Sequence, residues 1–301
     1  MISPYRFRSF IAGAAMIVML AGCSPELSDR LETLNMNVAV NTPQKLVLTA
    51  PGERLVLFNN STAAVVNGIP VLLHDPAVRS GEKYWDLPEN SLNGILLPVL
   101  TPVKLKISTI LIDPGHGGHD AGAAAVNGCK EKNLNLELAR QIAAALQQCG
   151  YSVHMTRNSD CFLTLDERAD LAAKLNADLF ISVHHNASAT NPKASGMETF
   201  ALKALESGEI RRTAHSLRLA YLVQKEQSGI NNSPGRGVKT ARFKVLRKTP
   251  CPAILIEAGF LTNAADAVRC ADREFQQKLA LAVARAIRSC TAVPVKVAAD
   301  R

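Results

Sequence analysis

Apolar and polar positions run in two rhythms along this chain, and the change falls near residue 106. Between residues 44 and 105 the apolar runs are short, "KLVL", "RLVLFNN", "AAVVNGIPVLL" and "GILLPVL", and they are broken by "PGE", "NG" and "SG". Such punctuation predicts a small β-rich module. After residue 106, buried-type runs alternate with longer amphipathic stretches. "ISTILID", "YSVHMTR", "LFISVHHNAS", "GMETFALK", "FKVLRKT" and "AILIEAGF" read as strands. Leu134, Leu138, Ile142 and Leu146 recur every four residues and mark a helix that Gly150 stops. Thr164 and Glu167 form a capping-box pattern ahead of "LDERADLAAKLNA", "RRTAHSLRLAYLVQKEQSG" is a further helix, and Phe275, Leu279, Val283 and Ile287 repeat the stripe near the end. Strands separated by such helices predict an α/β fold, a mostly parallel central sheet flanked by helices and preceded by a small β-rich domain.

The start of the chain follows neither rhythm. Arg6 and Arg8 precede "FIAGAAMIVMLAG", an apolar stretch short for a membrane span, and "LAGC" at residues 20–23 resembles a bacterial lipobox. Residues 1–22 therefore read as a lipoprotein signal peptide, with Cys23 as the lipidation site, residues 23–43 as a tether, 44–105 as the β-rich module and 106–294 as a catalytic domain. Acylated Cys23 would attach the protein to a lipid bilayer without a transmembrane helix. Ser24 after the cysteine favours an outer-membrane anchor facing the periplasm, and a cell-envelope location.

The formal charge of +8 loses two units with Arg6 and Arg8, and the remainder stays basic. For an exported chain that points to an anionic wall or lipid surface rather than to nucleic acid. Six cysteines follow Cys23, an even number that fits disulfides, with Cys149 and Cys290 as the first pair because each ends a predicted helix.

The densest chemistry is "ILIDPGHGGHDAGA", residues 110–123, where a strand stops and Asp113, His116, His119 and Asp120 stand on the turn beyond it. Parallel strands deliver their ends to one rim, so His116, the His184–His185 pair, Glu257 and the helix-opening Glu131 could converge there. Two imidazoles and a carboxylate with an open fourth position are what a catalytic zinc requires. Adjacent strand residues point to opposite faces, so only one of His184 and His185 reaches a metal. Asp113, before Pro114, is placed to hold the turn. No "GK[ST]" follows the glycines, which excludes a phosphate loop.

Five blocks, "IDPGHGGHDAGA", "CKEKNLNLELA", "SVHHNAS", "GMETFAL" and "RGVKTARFKVLRKTPCPAILIEAGFLTN", occur in an order and spacing that resembles the zinc-dependent N-acetylmuramoyl-L-alanine amidases, which cut peptidoglycan. The resemblance spans roughly residues 107–290. It implies a Zn2+ cofactor held by His116, Glu131 and His184, with Glu257 as the catalytic acid. It also implies hydrolysis of the amide between N-acetylmuramic acid and L-alanine. His185 then falls to a supporting, substrate-contacting or packed role, and Arg236 to a loop that faces substrate and could grip a stem-peptide carboxylate. Division-associated members carry an inserted helix that plugs the site, whereas about ten residues, "KALESGEIRR", fill that interval here, so an open groove is expected. Glu206 and Glu209 there read as solvated, and a regulatory protein partner is left open, its identity unknown from the sequence. The alternatives are a zinc peptidase acting on wall cross-links and a non-catalytic wall-binding lipoprotein.

Overall fold

Runs rich in Val, Ile and Leu pair into a single sheet in the computed structural model, which describes residues 23–81, 84–230 and 235–292. In chain order the first elements are α1 (Pro25–Thr33), β1 (Asn37–Asn41), β2 (Lys45–Ala50), β3 (Glu53–Phe58), β4 (Ser61–Val66), β5 (Ile69–Ser80), β6 (Tyr84–Asp86), α2 (Glu89–Ser91), a π turn (Leu92–Leu96) and α3 (Leu97–Leu100). They are followed by β7 (Thr109–Pro114), α4 (Glu131–Gln148), β8 (Ser152–Met155), α5 (Leu165–Lys174), β9 (Leu179–Asn186) and β10 (Met197–Leu202). The last are α6 (Ser207–Gln227), β11 (Gly235–Ala241), α7 (Lys244–Lys248), β12 (Ala253–Phe260), α8 (Ala264–Ala271) and α9 (Arg273–Cys290).

The sheet runs β1-β2-β3-β4-β5-β11-β10-β12-β9-β7-β8, with β6 paired to β5. From β5 to β8 every pairing is parallel except β10 with β12. The β5-to-β8 part is therefore the mostly parallel α/β sheet that the periodicity predicts, whereas β1 to β5 pair antiparallel, so the sheet as a whole is mixed. Side chains alternate across its two faces. Ile110, Ile112, Ile181, Val183, Ile254 and Ile256 join the large core cluster that includes the buried stripes of α4 and α9. Leu111, Phe180 and Leu255 face the other way, onto Ala172 of α5 and Val245 and Leu246 of α7. The covering helices on this second face have only ten and five residues. His184, two strand pitches past Phe180, and Glu257, one past Leu255, continue that thinly covered face towards the carboxyl ends of the strands. The expected capping box forms: Thr164 Oγ1 accepts from Glu167 N at 3.2 Å, and Glu167 Oε2 accepts from Thr164 N at 2.7 Å.

Three expectations change. Residues 23–43 are not a free tether: α1 buries Leu27 and Leu31 in the main core, and β1 pairs with β2. An apolar pair at i and i+4 after a Ser24 cap is enough to dock a helix. The 44–105 module is the expected small β-rich domain, built from β2 to β6, and β5 pairs in parallel with β11 through Val71 and Val238, so it continues into the catalytic sheet. Its "GILLPVL" run is helical, since residues 89–100 turn continuously through α2, the π turn and α3. "FKVLRKT" is not a strand. Val245 and Leu246 bury one helical turn, and the strand instead lies at Gly235–Ala241, where no clean alternation announces it.

The cysteines also depart from expectation, because all seven are free thiols. Cys251, Cys270 and Cys290 lie in three different apolar clusters, and burial pushes them up to about 11, 12 and 11. Cys149 packs on the same cluster as Cys290, but the two are unbonded. Among the described residues no helix is long and apolar enough to cross a membrane, and the 1–22 segment lies outside them.

Candidate active site

Strand register places the chemistry in a row. Glu257 on β12 is in register with His184 on β9 and, on its other side, with Glu198 on β10; Glu198 in turn pairs with Gly237 on β11. Register partners share a face, so His184, Glu257 and Glu198 stand side by side on the thinly covered side of the sheet.

The glycine loop after β7 brings His116 to this row. His116 has φ of +59°, a left-handed conformation unusual for a residue with a Cβ, and it is the turn that folds the imidazole back over the sheet. Two glycines make room. A Cβ on Gly115 would lie 2.1 Å from the His184 ring, and one on Gly122 would lie 2.5 Å from Glu131 Oε2. As a result one potential donor atom each from His116, Glu131 and His184 falls within 4.8 Å of the others. Glu131 Oε2 lies 3.2 Å from His116 Nε2, and Oε1 lies 2.9 Å from His184 Nδ1. Two imidazoles and one carboxylate converging in this way can hold a divalent metal ion.

Electrostatics reinforce the cluster. Burial alone would raise the Glu131 carboxyl, but its hydrogen bonds to His116 and His184 override that and hold it well below the usual carboxylate range. For His116, burial works against the charged form, and the bonds to Glu131 and Asp120 outweigh it, so its pKa is raised. Glu257 behaves oppositely. Burial, with the negative charges of Glu131 and Glu198 added, pushes its carboxyl well above the ordinary range, and its buried Oε2 has no hydrogen-bond partner. A protonatable carboxyl with an unused oxygen, next to a metal-binding trio, suits the handling of a proton on a water or a leaving group.

Supporting residues surround the trio, and of these Asn135, Arg157 and Arg168 are not singled out by the sequence reading. Asp120 Oδ2 lies 2.8 Å from His116 Nδ1, which fixes the ring and leaves Nε2 turned to Glu131. His185 faces the main core, 2% exposed, with Nδ1 2.8 Å from Asn135 Oδ1; Asn135 Nδ2 donates to Glu131 Oε1 at 3.2 Å. Burial lowers His185 to about 4, so it stays neutral and braces Glu131 through Asn135. Asp113 is buried and holds Arg168, Thr156 and Ser182 at 2.8, 2.7 and 2.9 Å. Arg168 then donates to the carbonyls of Pro114 and His116, and Arg157 donates to those of Pro114 and Gly115. Two buried guanidiniums thus clamp the backbone of the His116 loop. One signal for Arg168 is available: it occupies the apolar phase of α5, ahead of Leu171, Ala172 and Leu175.

His119 stacks on Phe162 at 4.1 Å and belongs to no donor set. Glu209 is not solvated, because it is 7% exposed and paired with Arg242. β10 runs antiparallel to β12, so the connection from Leu202 to α6 falls at the far end of the sheet, and neither Glu206 nor Glu209 reaches the row. Cys23 is enclosed next to Trp85, and burial pushes its thiol up to about 11. Arg236 bonds through Nε to Glu198, which also accepts from Lys239 at 2.6 Å.

Two consequences can be measured. Replacing Asp113 with Ala leaves Arg168 buried without its counter-ion, which is expected to lower unfolding free energy by about 3–5 kcal/mol in urea titrations. Replacing Asp120 with Asn frees the His116 ring and should weaken metal binding about 10- to 100-fold by competitive chelation.

A buried carboxyl raised well above its ordinary range, next to three converging donors on the rim of an α/β sheet, has the composition of a metal-assisted hydrolase site. Residues 110–289 match the family model described as N-acetylmuramoyl-L-alanine amidase, and the chain belongs to that family. It is 37% identical over 175 residues to N-acetylmuramoyl-L-alanine amidase LytC of Bacillus subtilis, a match covering 58% of this chain and 34% of that protein. To amidase AmiA of Escherichia coli it is 30% identical over 217 residues, covering 60% and 75%. The solved amidase AmiC2 of Nostoc punctiforme superposes with a TM-score of 0.54 at 37% identity, covering 60% of this chain and 95% of that one. The chain spans about a third of LytC and three quarters of AmiA. The matched part is an N-acetylmuramoyl-L-alanine amidase domain.

Proposed function

We propose that this protein is a zinc-dependent peptidoglycan amidase of the cell envelope, held to a membrane through acylated Cys23. The observation that carries the reading is the convergence of His116, Glu131 and His184 within 4.8 Å next to Glu257. Zinc on those three donors would polarise the lactyl carbonyl and acidify an attacking water. Glu257 supplies the proton traffic: Oε2, free of partners, accepts the water proton and returns it to the amine of L-alanine as the C–N bond breaks. Without that returned proton the amine is a poor leaving group. Asp120, Asn135 and His185 keep the donors oriented, and Arg157 and Arg168 keep the His116 loop in place.

The anchor rests on Arg6, Arg8, the apolar run and "LAGC". Ser24 N donates to Trp85 O at 2.8 Å, so acylation of Cys23 requires residues 23–24 to swing away from β6. Because α1 follows at once, the anchored domain would sit close against the bilayer.

The test is digestion of purified peptidoglycan by the full chain, with and without a chelator and with zinc restored. New amino groups should be those of L-alanine, and the glycan should keep intact lactyl ends. Amino groups from a cross-linking residue would instead indicate a peptidase. Radiolabelled palmitate on wild type but not on Cys23→Ala tests the anchor.

A further inference from the structure

Arg236 is built into the row of site residues from two strands away. It is the second residue of β11, and its guanidinium reaches over Glu198 of β10 to lie 4.9 Å from the ring centroid of Phe260 on β12. Nε is bonded to Glu198 Oε1, whereas Nη1 and Nη2 have no hydrogen-bond partner among the described residues. The side chain is 37% exposed, while Glu198 is 3% exposed. A cation–π contact with an aromatic ring and an Nε held by Glu198 leave the two terminal nitrogens as a braced fork, the geometry that matches a carboxylate.

Charge balance does not account for Arg236. Glu198 Oε1 already receives Lys239 Nζ at 2.6 Å, and a single buried carboxylate needs one cation. Two cations against one anion leave a net positive charge one strand away from Glu257. Two residues of extended peptide reach about 7 Å, enough to carry a side group from a bond cleaved next to Glu257 to the neighbouring strand.

We propose that Arg236, braced by Glu198 and Phe260, is a subsite for a carboxylate on the released peptide, so that this protein selects stem peptides whose second residue bears a free acid. The inference rests on the amidase reading above. Arg236 forms two parallel N–H···O bonds to that carboxylate, and the Lys239 ion pair balances the charge of Glu198 when the fork is engaged.

The full chain is assayed on two disaccharide-peptides identical except at the second residue, one with a free α-carboxylate and one with its carboxamide. Wild type is expected to favour the acid in kcat/KM by about tenfold or more, the usual worth of a charge-assisted pair. Arg236→Gln should bring the ratio close to one, and Arg236→Lys, which keeps the charge but not the fork, should fall between. A wild-type ratio near one, or an undiminished ratio in Arg236→Gln, overturns the inference while leaving the amidase reading intact. Release of neither peptide by the zinc-loaded wild type overturns both.

Discussion

Glu257→Gln is expected to lower kcat on peptidoglycan fragments by about 10²- to 10⁴-fold, the usual contribution of a positioned general acid–base. Gln keeps the shape but cannot accept the water proton or return it to the amine. Bound metal, measured per chain after dialysis, should be unchanged, because Glu257 is not one of the three converging donors. A stability measurement on metal-free protein separates chemistry from damage to the fold. The Glu257 carboxyl is raised in the folded state by burial and by the charges of Glu131 and Glu198. A group raised in this way contributes stability below its unfolded pKa and loses it as pH rises through the folded value. Metal-free wild type should therefore lose stability as pH climbs above the ordinary carboxyl range, and Glu257→Gln should lose less. Undiminished hydrolysis by this variant would remove Glu257 from the mechanism.

Glu131→Gln is expected to abolish activity by a different route. It removes the only acid of the trio, and metal affinity should fall more than about 100-fold, beyond the loss typical of residues behind the ligands. Excess zinc should restore part of the activity, which it cannot do for Glu257→Gln. The metal-free protein adds a second readout. Glu131 is depressed in the folded state despite burial, through His116 and His184, so its stabilisation exists above the unfolded carboxyl pKa and disappears as pH falls through the folded value. His116 is raised, so its share is present below the unfolded imidazole pKa and is lost as pH rises through the folded one. The pair is worth most between those limits, where Glu131 is ionised and His116 protonated. Glu131→Gln should flatten the stability profile across that window.

How much of this was legible before the fold was known differs residue by residue. The strand at Ala253–Phe260 and the helix at Arg273–Cys290 follow from local periodicity, which neighbouring residues carry themselves. Gly235–Ala241 was missed because its pairing with β5 and β10, rather than its own pattern, makes it a strand. Lys244–Lys248 was misread because a single buried apolar pair fits one helical turn as well as a short strand.

The sequence alone singled out His116, Glu131, His184 and Glu257, through their residue types and through blocks that resemble a known family, and the structure brings them together at the ends of β7, β9 and β12 and the start of α4. The sequence also determined the alternation of strands and helices that makes such a sheet. Only the tertiary structure decided that Glu198 lies in register with Glu257 and that Arg157, Arg168 and Asp120 hold the His116 loop. It likewise decided that residues 23–105 join the catalytic sheet. Those roles come from distant partners, and a buried arginine or an edge strand has no meaning until the chain has closed around it.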